Sequence, residues 1–216
     1  MDSYSNPVPV LSYIATALVA YLLGSIPTGF LVARARGVDI RTVGSGNIGA
    51  TNAFRVLGKG LGIFVLLMDA LKGLAAVEIV LCIAHFFPDA SVTNLKITAG
   101  ICAILGHNYT CWLHFKGGKG IATSAGVLIA LVPLALVIIL SIFIILFVTT
   151  RYVSVGSLAA SFSLPLATWF TTHDTGLTVV TGAMGALAIL KHRKNIQRLL
   201  NGTENRIEFK KKEATP

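Results

Sequence analysis

From Ile121 to Thr150 the chain carries no charged side chain. About 20 apolar residues in a helix cross the hydrocarbon core of a bilayer, and no water-facing surface can be built from such a stretch. Five further apolar segments accompany it, at residues 8–33, 61–87, 95–113, 152–170 and 176–190. Over the whole chain 54% of residues are hydrophobic and only 12% charged, against about 25% charged in a soluble domain. The mean hydropathy is +0.76. The sequence therefore predicts an all-α integral membrane protein.

Charge fixes the expected topology. Basic residues between spans stay on the cytoplasmic side, and here they gather between Lys191 and Lys212 and directly after the first segment, at Arg34 and Arg36. Six spans would leave both termini on one face. Pro133 lies near the middle of 121–150, where it removes a helical hydrogen bond. That segment is read as a hairpin of two short helices broken near Leu131 to Pro133, each arm covering roughly 20 Å. About seven transmembrane helices result, with Met1 outside and Arg151 and Pro216 cytoplasmic. Of the 18 lysines and arginines, all but Lys72, within a span, and Lys96, outside, then fall at the cytoplasmic face. The outer loops are 88–94, with Asp89, and 171–175, with Asp174. Residues 1–204 are expected to form one transmembrane domain. Residues 205–216, with Lys210, Lys211, Lys212 and Glu213, form a flexible basic tail.

The net charge of +9 is accounted for by this topology, so no nucleic acid is expected. Segment 8–33 is too long for a signal-peptide core and no cation precedes it. Cys82, Cys102 and Cys111 show neither zinc nor redox spacing and lie in apolar surroundings, which reads as buried packing thiols. No metal and no cofactor is implied.

Three polar segments interrupt the apolar pattern, all on the expected cytoplasmic face. The first, Ser45 to Arg55, contains Asn47, Thr51 and Asn52, small hydrogen-bonding side chains beside a membrane helix. Gly44, Gly46 and Gly49 match a dinucleotide fingerprint, but that pattern has meaning only within a soluble strand–turn–helix unit. The second runs from Gly106 and His107 through Lys116, Gly117, Gly118, Lys119 and Gly120 to Thr123. Lys119 is followed by Gly120 rather than Ser or Thr, so it is no Walker A loop. Its glycine N–H groups suit an anion nest, and the helix beginning near Ile121 offers its N-terminus to a phosphate. Arg55 can grip a phosphate bidentately. The third spans His192 to Glu204 and includes Asn195. His107 and His192 are candidate bases; His85 and His173, near the outer face, are incidental. Asp69 and Lys72, three apart, read as a helical ion pair. Glu78 has no evident role.

SGNIGATNAFR, GHNYTCWLHFKGGKGIAT and HRKNIQRLLNGTE occur in this order, with RYVSVGS between the last two. Together they resemble the bacterial acyl-phosphate:glycerol-3-phosphate acyltransferases over almost the whole chain, from Gly24 to Glu204. The resemblance implies transfer of a fatty acyl group from acyl phosphate to the 1-hydroxyl of glycerol 3-phosphate at the cytoplasmic face of a bacterial inner membrane. The products would be 1-acylglycerol 3-phosphate and phosphate. It also implies that Ser45, Asn47, Arg55, Lys119, His192 and Asn195 are functional. Arg55 and Lys119 would hold phosphate; Ser45, Asn47 and Asn195 would orient substrates; His192 would adjoin the reacting groups. Thr51, Asn52, His107, Lys116, Gly117, Gly118, Gly120 and Thr123 are expected to line the substrate site, as are Arg151, Ser154 and Glu204.

Two other classes remain open to test. A transporter of a phosphorylated metabolite would place polar groups near the midplane on repeated, broken helices, whereas these crowd one face. A scaffold leaves the polar segments unexplained. Thioester-dependent acyltransferases with a His-x-x-x-x-Asp motif are not matched: the positions five after the histidines are Ala90, Trp112, Lys119, Thr178 and Gln197. No nucleophile–base–carboxylate triad is evident, and direct transfer without an acyl-enzyme is expected.

Overall fold

The computed structural model describes residues 8–87 and 90–207. They contain helices and turns and no strand. They divide into two compact units, Met1–Pro133 and Leu134–Pro216.

The first unit contains α1 (Val8–Ser25), α2 (Thr28–Arg34), α3 (Ala50–Leu57), α4 (Lys59–Glu78), α5 (Val80–Phe86), α6 (Val92–Asn108) and α7 (Ile121–Leu131). Pro27 cannot donate a backbone hydrogen bond, so the first apolar segment bends into α1 and α2. The break takes the carbonyls of Ser25 and Ile26 out of the helical ladder, and Thr28 N–H turns back to that of Ile26 at 3.0 Å. Thr110 Oγ1 donates to the first at 2.6 Å and Lys72 Nζ to the second at 2.7 Å. Backbone acceptors at membrane depth need such partners, because lipid supplies none.

Glycine seams bring the helices of this unit together. A Cβ on Gly24 of α1 would collide with the carbonyl of Ala103 on α6, and one on Gly106 of α6 with that of Tyr21 on α1. The same holds between α4 and α7, where Gly73 meets the Thr123 carbonyl and Gly126 that of Ala70. Lipid gives apolar helices no hydrophobic drive to associate, so close backbone approach supplies the attraction.

The second unit contains α8 (Pro133–Thr150), α9 (Val153–Thr172), α10 (Thr175–Lys191) and α11 (Arg193–Leu200). His173, at φ 52°, closes α9, and Asp174 caps α10 by accepting from Leu177 N–H at 2.9 Å. This tight turn lies within the expected outer loop 171–175. Pro165, inside α9, leaves the Ser161 carbonyl without its helical partner, and Gly185 of α10 lies against that carbonyl.

Val10, Leu18, Leu67, Val137, Ile145, Phe162 and Phe170 are all exposed. Apolar surface on this scale belongs in lipid. Among the described residues, three stretches are long and apolar enough to cross a membrane: Val10–Arg34, Pro133–Thr150 and Val153–Thr172. The protein is an all-α integral membrane protein.

Several expectations change. The break in 121–150 falls at Val132, as read from Pro133, but the arms are unequal: 11 residues in α7 and 18 in α8. The second is no short arm. The span expected over 95–113 ends as an α-helix at Asn108; Cys111–Leu113 form a 3₁₀ turn. Trp112 Nε1 donates to Ser25 Oγ at 2.9 Å and Tyr21 Oη to the Tyr109 carbonyl at 2.7 Å, tying this turn to the end of α1. Cys82 and Cys111 are exposed and Cys102 half-buried, so they are not buried packing thiols. In a membrane protein an apolar sequence neighbourhood marks the lipid face as readily as the core. Glu78 acquires a partner, Lys96, at 3.5 Å. The tail is anchored at its start: Ile207 N–H donates to the Arg151 carbonyl at 3.0 Å, and Arg206 lies over the Tyr152 ring. Lys210, Lys211, Lys212, Glu213, Asp89 and both chain ends lie outside the described residues.

Candidate active site

The first polar segment is a loop wound around Asn52. This side chain is 1% exposed. Its Nδ2 donates to the carbonyls of Ile40, Val43 and Asn47 at 3.2, 3.1 and 2.9 Å, and its Oδ1 accepts from Ser45 N–H at 2.9 Å. Asn52 therefore holds the loop, a role different from the substrate contact expected of it. Gly44 and Gly46 take positive φ, which lets the chain turn tightly around that amide. The Asn47 Oδ1 accepts from Gly49 N–H at 2.8 Å, and α3 starts immediately after. Ser45 stays exposed, while Asn47, Thr51 and Arg55 are half-buried. At the loop's entry Arg41 pairs with Asp39 at 2.7 Å. Its hydrogen bonds hold the Asp39 carboxyl down to about 2.

The second segment folds back on the end of α6. Gly117 N–H donates to the Asn108 carbonyl at 3.2 Å and Gly118 N–H to that of His107 at 3.0 Å. The anion nest expected of these glycines is corrected accordingly: both N–H groups serve the loop itself. Gly120, at φ 81°, caps α7 and separates Lys119 from its first residue, Ile121. Lys116 is exposed and Lys119 half-buried. His107 is 5% exposed and lies beneath the loop, with its ring against Gly118, so it is no solvent-facing base. Thr123 is fully buried, its methyl towards Gly73. Leu113 packs in one cluster with Ile40, Ile48 and Ala53, which joins the first two polar segments.

The third segment belongs to the second unit. Glu204 Oε1 accepts from Ser154 Oγ at 2.8 Å and from Asn195 Nδ2 at 2.6 Å, and its Oε2 accepts from Arg198 Nε at 2.6 Å. The carboxylate thus clasps the start of α9, α11 and the chain after α11. Burial works to raise its pKa, but hydrogen bonds from Asn195, Arg198 and Ser154 together hold it below the ordinary value. His192, 3% exposed, closes α10. Its Nδ1 lies 2.8 Å from the Ala188 carbonyl. A carbonyl only accepts, so Nδ1 carries the proton and the neutral ring has its lone pair on Nε2. Arg151, at φ 64°, ends α8 and is exposed.

Asp69 and Lys72 form the helical ion pair expected of them. They are buried, 2.8 Å apart, and Asp69 reaches His107 at 3.7 Å. Their signal was ionisable residues inside an apolar span.

Fold and exposed apolar surface define an all-α integral membrane protein whose polar side chains gather in three loop segments. The family model for glycerol-3-phosphate acyltransferase matches residues 14–202. A glycerol-3-phosphate acyltransferase of Geobacter sulfurreducens is 46% identical, covering 92% of this chain and all of its own length. One of Geotalea daltonii is 47% identical over 90% of this chain and 97% of its own. The crystal structure of PlsY (YgiH), an integral membrane glycerol 3-phosphate acyltransferase, in its glycerol 3-phosphate form superposes with a TM-score of 0.83 at 38% identity, covering 91% of this chain and 96% of that one. Its lysophosphatidic acid form gives 0.81 at 37%. The chain belongs to the glycerol-3-phosphate acyltransferase family and is an acyltransferase.

Proposed function

We propose that the chain transfers a fatty acyl group from acyl phosphate to the 1-hydroxyl of glycerol 3-phosphate, releasing 1-acylglycerol 3-phosphate and inorganic phosphate, without an acyl-enzyme. The observation that carries this is the loop Lys116–Gly120 bound to the end of α6, which delivers Lys119 and the N-terminus of α7 together. A helix N-terminus beside a cation suits a phosphate. The solved relative's glycerol 3-phosphate and lysophosphatidic acid forms name the corresponding substrate and product.

Lys119 and Arg55 bind phosphate in this reading, and Ser45 and Asn47 orient the substrates. The hydroxyl oxygen attacks the acyl carbonyl carbon, and the carbonyl–phosphate oxygen bond breaks. The phosphate leaves with that electron pair, its developing charge met by Lys119 and the α7 terminus. The hydroxyl proton passes to the substrate's own phosphate. An acyl phosphate is already activated, so no strong base is required. Asn195 acts from within the Glu204 clasp. The protein sits in a bacterial inner membrane with its N-terminus outside, its C-terminus cytoplasmic and the polar loops at the cytoplasmic face, a reading supported by the distribution of cations.

Purified protein given acyl phosphate and labelled glycerol 3-phosphate in detergent should form acylated product, and acyl-CoA or acyl carrier protein as sole donor should give none. Efficient turnover of acyl-CoA alone would overturn the donor. Labelled acyl phosphate without acceptor should leave no label on denatured protein. A stoichiometric label lost in Ser45→Ala or Cys111→Ala would overturn direct transfer.

A further inference from the structure

Asp69, Lys72 and His107 are buried in the first unit, and the reaction as proposed makes no use of them. Lys72 Nζ contacts Asp69 Oδ1 at 2.8 Å and donates to the Ile26 carbonyl at 2.7 Å, an acceptor outside the helical ladder at Pro27. The same Asp69 Oδ1 stands 3.7 Å from His107 Nδ1, an electrostatic contact too long for a hydrogen bond. His107 then meets Gly118 twice. Its carbonyl accepts the Gly118 N–H, and a Cβ at Gly118 would fall on its Nε2. Beyond Pro27, α2 carries Gly29 against the carbonyl of Ile48, inside the loop that presents Ser45 and Asn47. One chain of contacts therefore runs from the first polar loop, through the α1–α2 break, to the second. Buried ion pairs seldom repay their desolvation by stability alone, and the glycine seams already join these helices.

We propose that Lys72, Asp69 and His107 form a positioning network that holds the two polar loops in register. They touch no substrate; they act through Ile26 and Gly118. This rests on the reading of those loops as substrate-binding. Misplacing a binding loop weakens capture of the ligand it holds, so the effect should fall on KM for glycerol 3-phosphate.

The test compares His107→Ala, the double variant Asp69→Asn/Lys72→Met and Lys119→Ala, with KM, kcat and melting temperature measured for each. The double variant removes both charges, because either alone would strand its partner. His107→Ala and the double variant should raise KM for glycerol 3-phosphate between about 10- and 100-fold, with kcat changed only a few-fold. KM within about twofold of wild type in both overturns the proposal, even where the melting temperature falls, since that marks a purely structural cluster. If the double variant fails to fold, His107→Ala decides. Lys119→Ala reports separately on phosphate binding. A raised KM there with normal cluster variants sinks the network alone; the converse sinks the phosphate reading and leaves the network standing.

Discussion

Arg55 and Lys119 carry the strongest expectations about single side chains. Arg55 sits in the last turn of α3 and Lys119 just before α7. A charge-assisted bond to phosphate is worth on the order of 2–3 kcal/mol, so Arg55→Ala and Lys119→Ala should each lower kcat/KM roughly 30- to 150-fold. Arg55→Lys should recover little, because an ammonium cannot copy the guanidinium fork. Steady-state kinetics with each substrate varied would decide it; values within a few-fold of wild type in both alanine variants would refute the assignment. Asn52 marks the limit of reading residues from sequence. Its polarity in a lipid setting was legible. That its amide would be committed to three carbonyls and one N–H of its own loop was not, because only the folded loop brings Ile40, Val43, Ser45 and Asn47 around it. Gly117 and Gly118 repeat the lesson: flexible backbone was visible, but not that their N–H groups would turn to α6.

Among the elements, α9 and α11 depend on one carboxylate. Glu204 is ionised and held below its ordinary pKa of 4.5, so it favours the folded state at neutral pH. That contribution is present above 4.5 and is lost as pH falls through the lower, folded value. Glu204→Gln should destabilise the protein by about 1–3 kcal/mol at pH 7. The gap in melting temperature from wild type should narrow as the pH drops below 4.5, and an undiminished gap in acid would contradict the ionic account. Helix placement was largely legible, since long apolar runs and Pro133 dictate it. Helix ends were not. The span over 95–113 loses its last residues to the turn through Cys111–Leu113, because Thr110 and Trp112 satisfy groups on Ser25, 85 and 87 residues away. No local propensity encodes a partner at that distance.

For the whole molecule, we propose from the charge pattern seven spans with the C-terminus cytoplasmic. In a variant without the native cysteines, residues introduced at positions 151 and 205 should resist a periplasmic thiol reagent; labelling there would sink the topology. Lys96, the single cation expected outside, pairs with Glu78 at 3.5 Å. The glycine seams decide where such a sequence is free to drift. A methyl added at Gly24, Gly73, Gly106 or Gly126 meets a carbonyl of the facing helix, and no rotamer change moves a carbonyl. An isoleucine exchanged for leucine at Ile145, on the exposed side of α8, meets only acyl tails, which flow around either. Mutation thus encounters an unyielding interior and a permissive exterior. Descendants of this chain can adapt to bilayers of another thickness or fluidity by changing outward side chains, while the loops that hold the chemistry stay where they are.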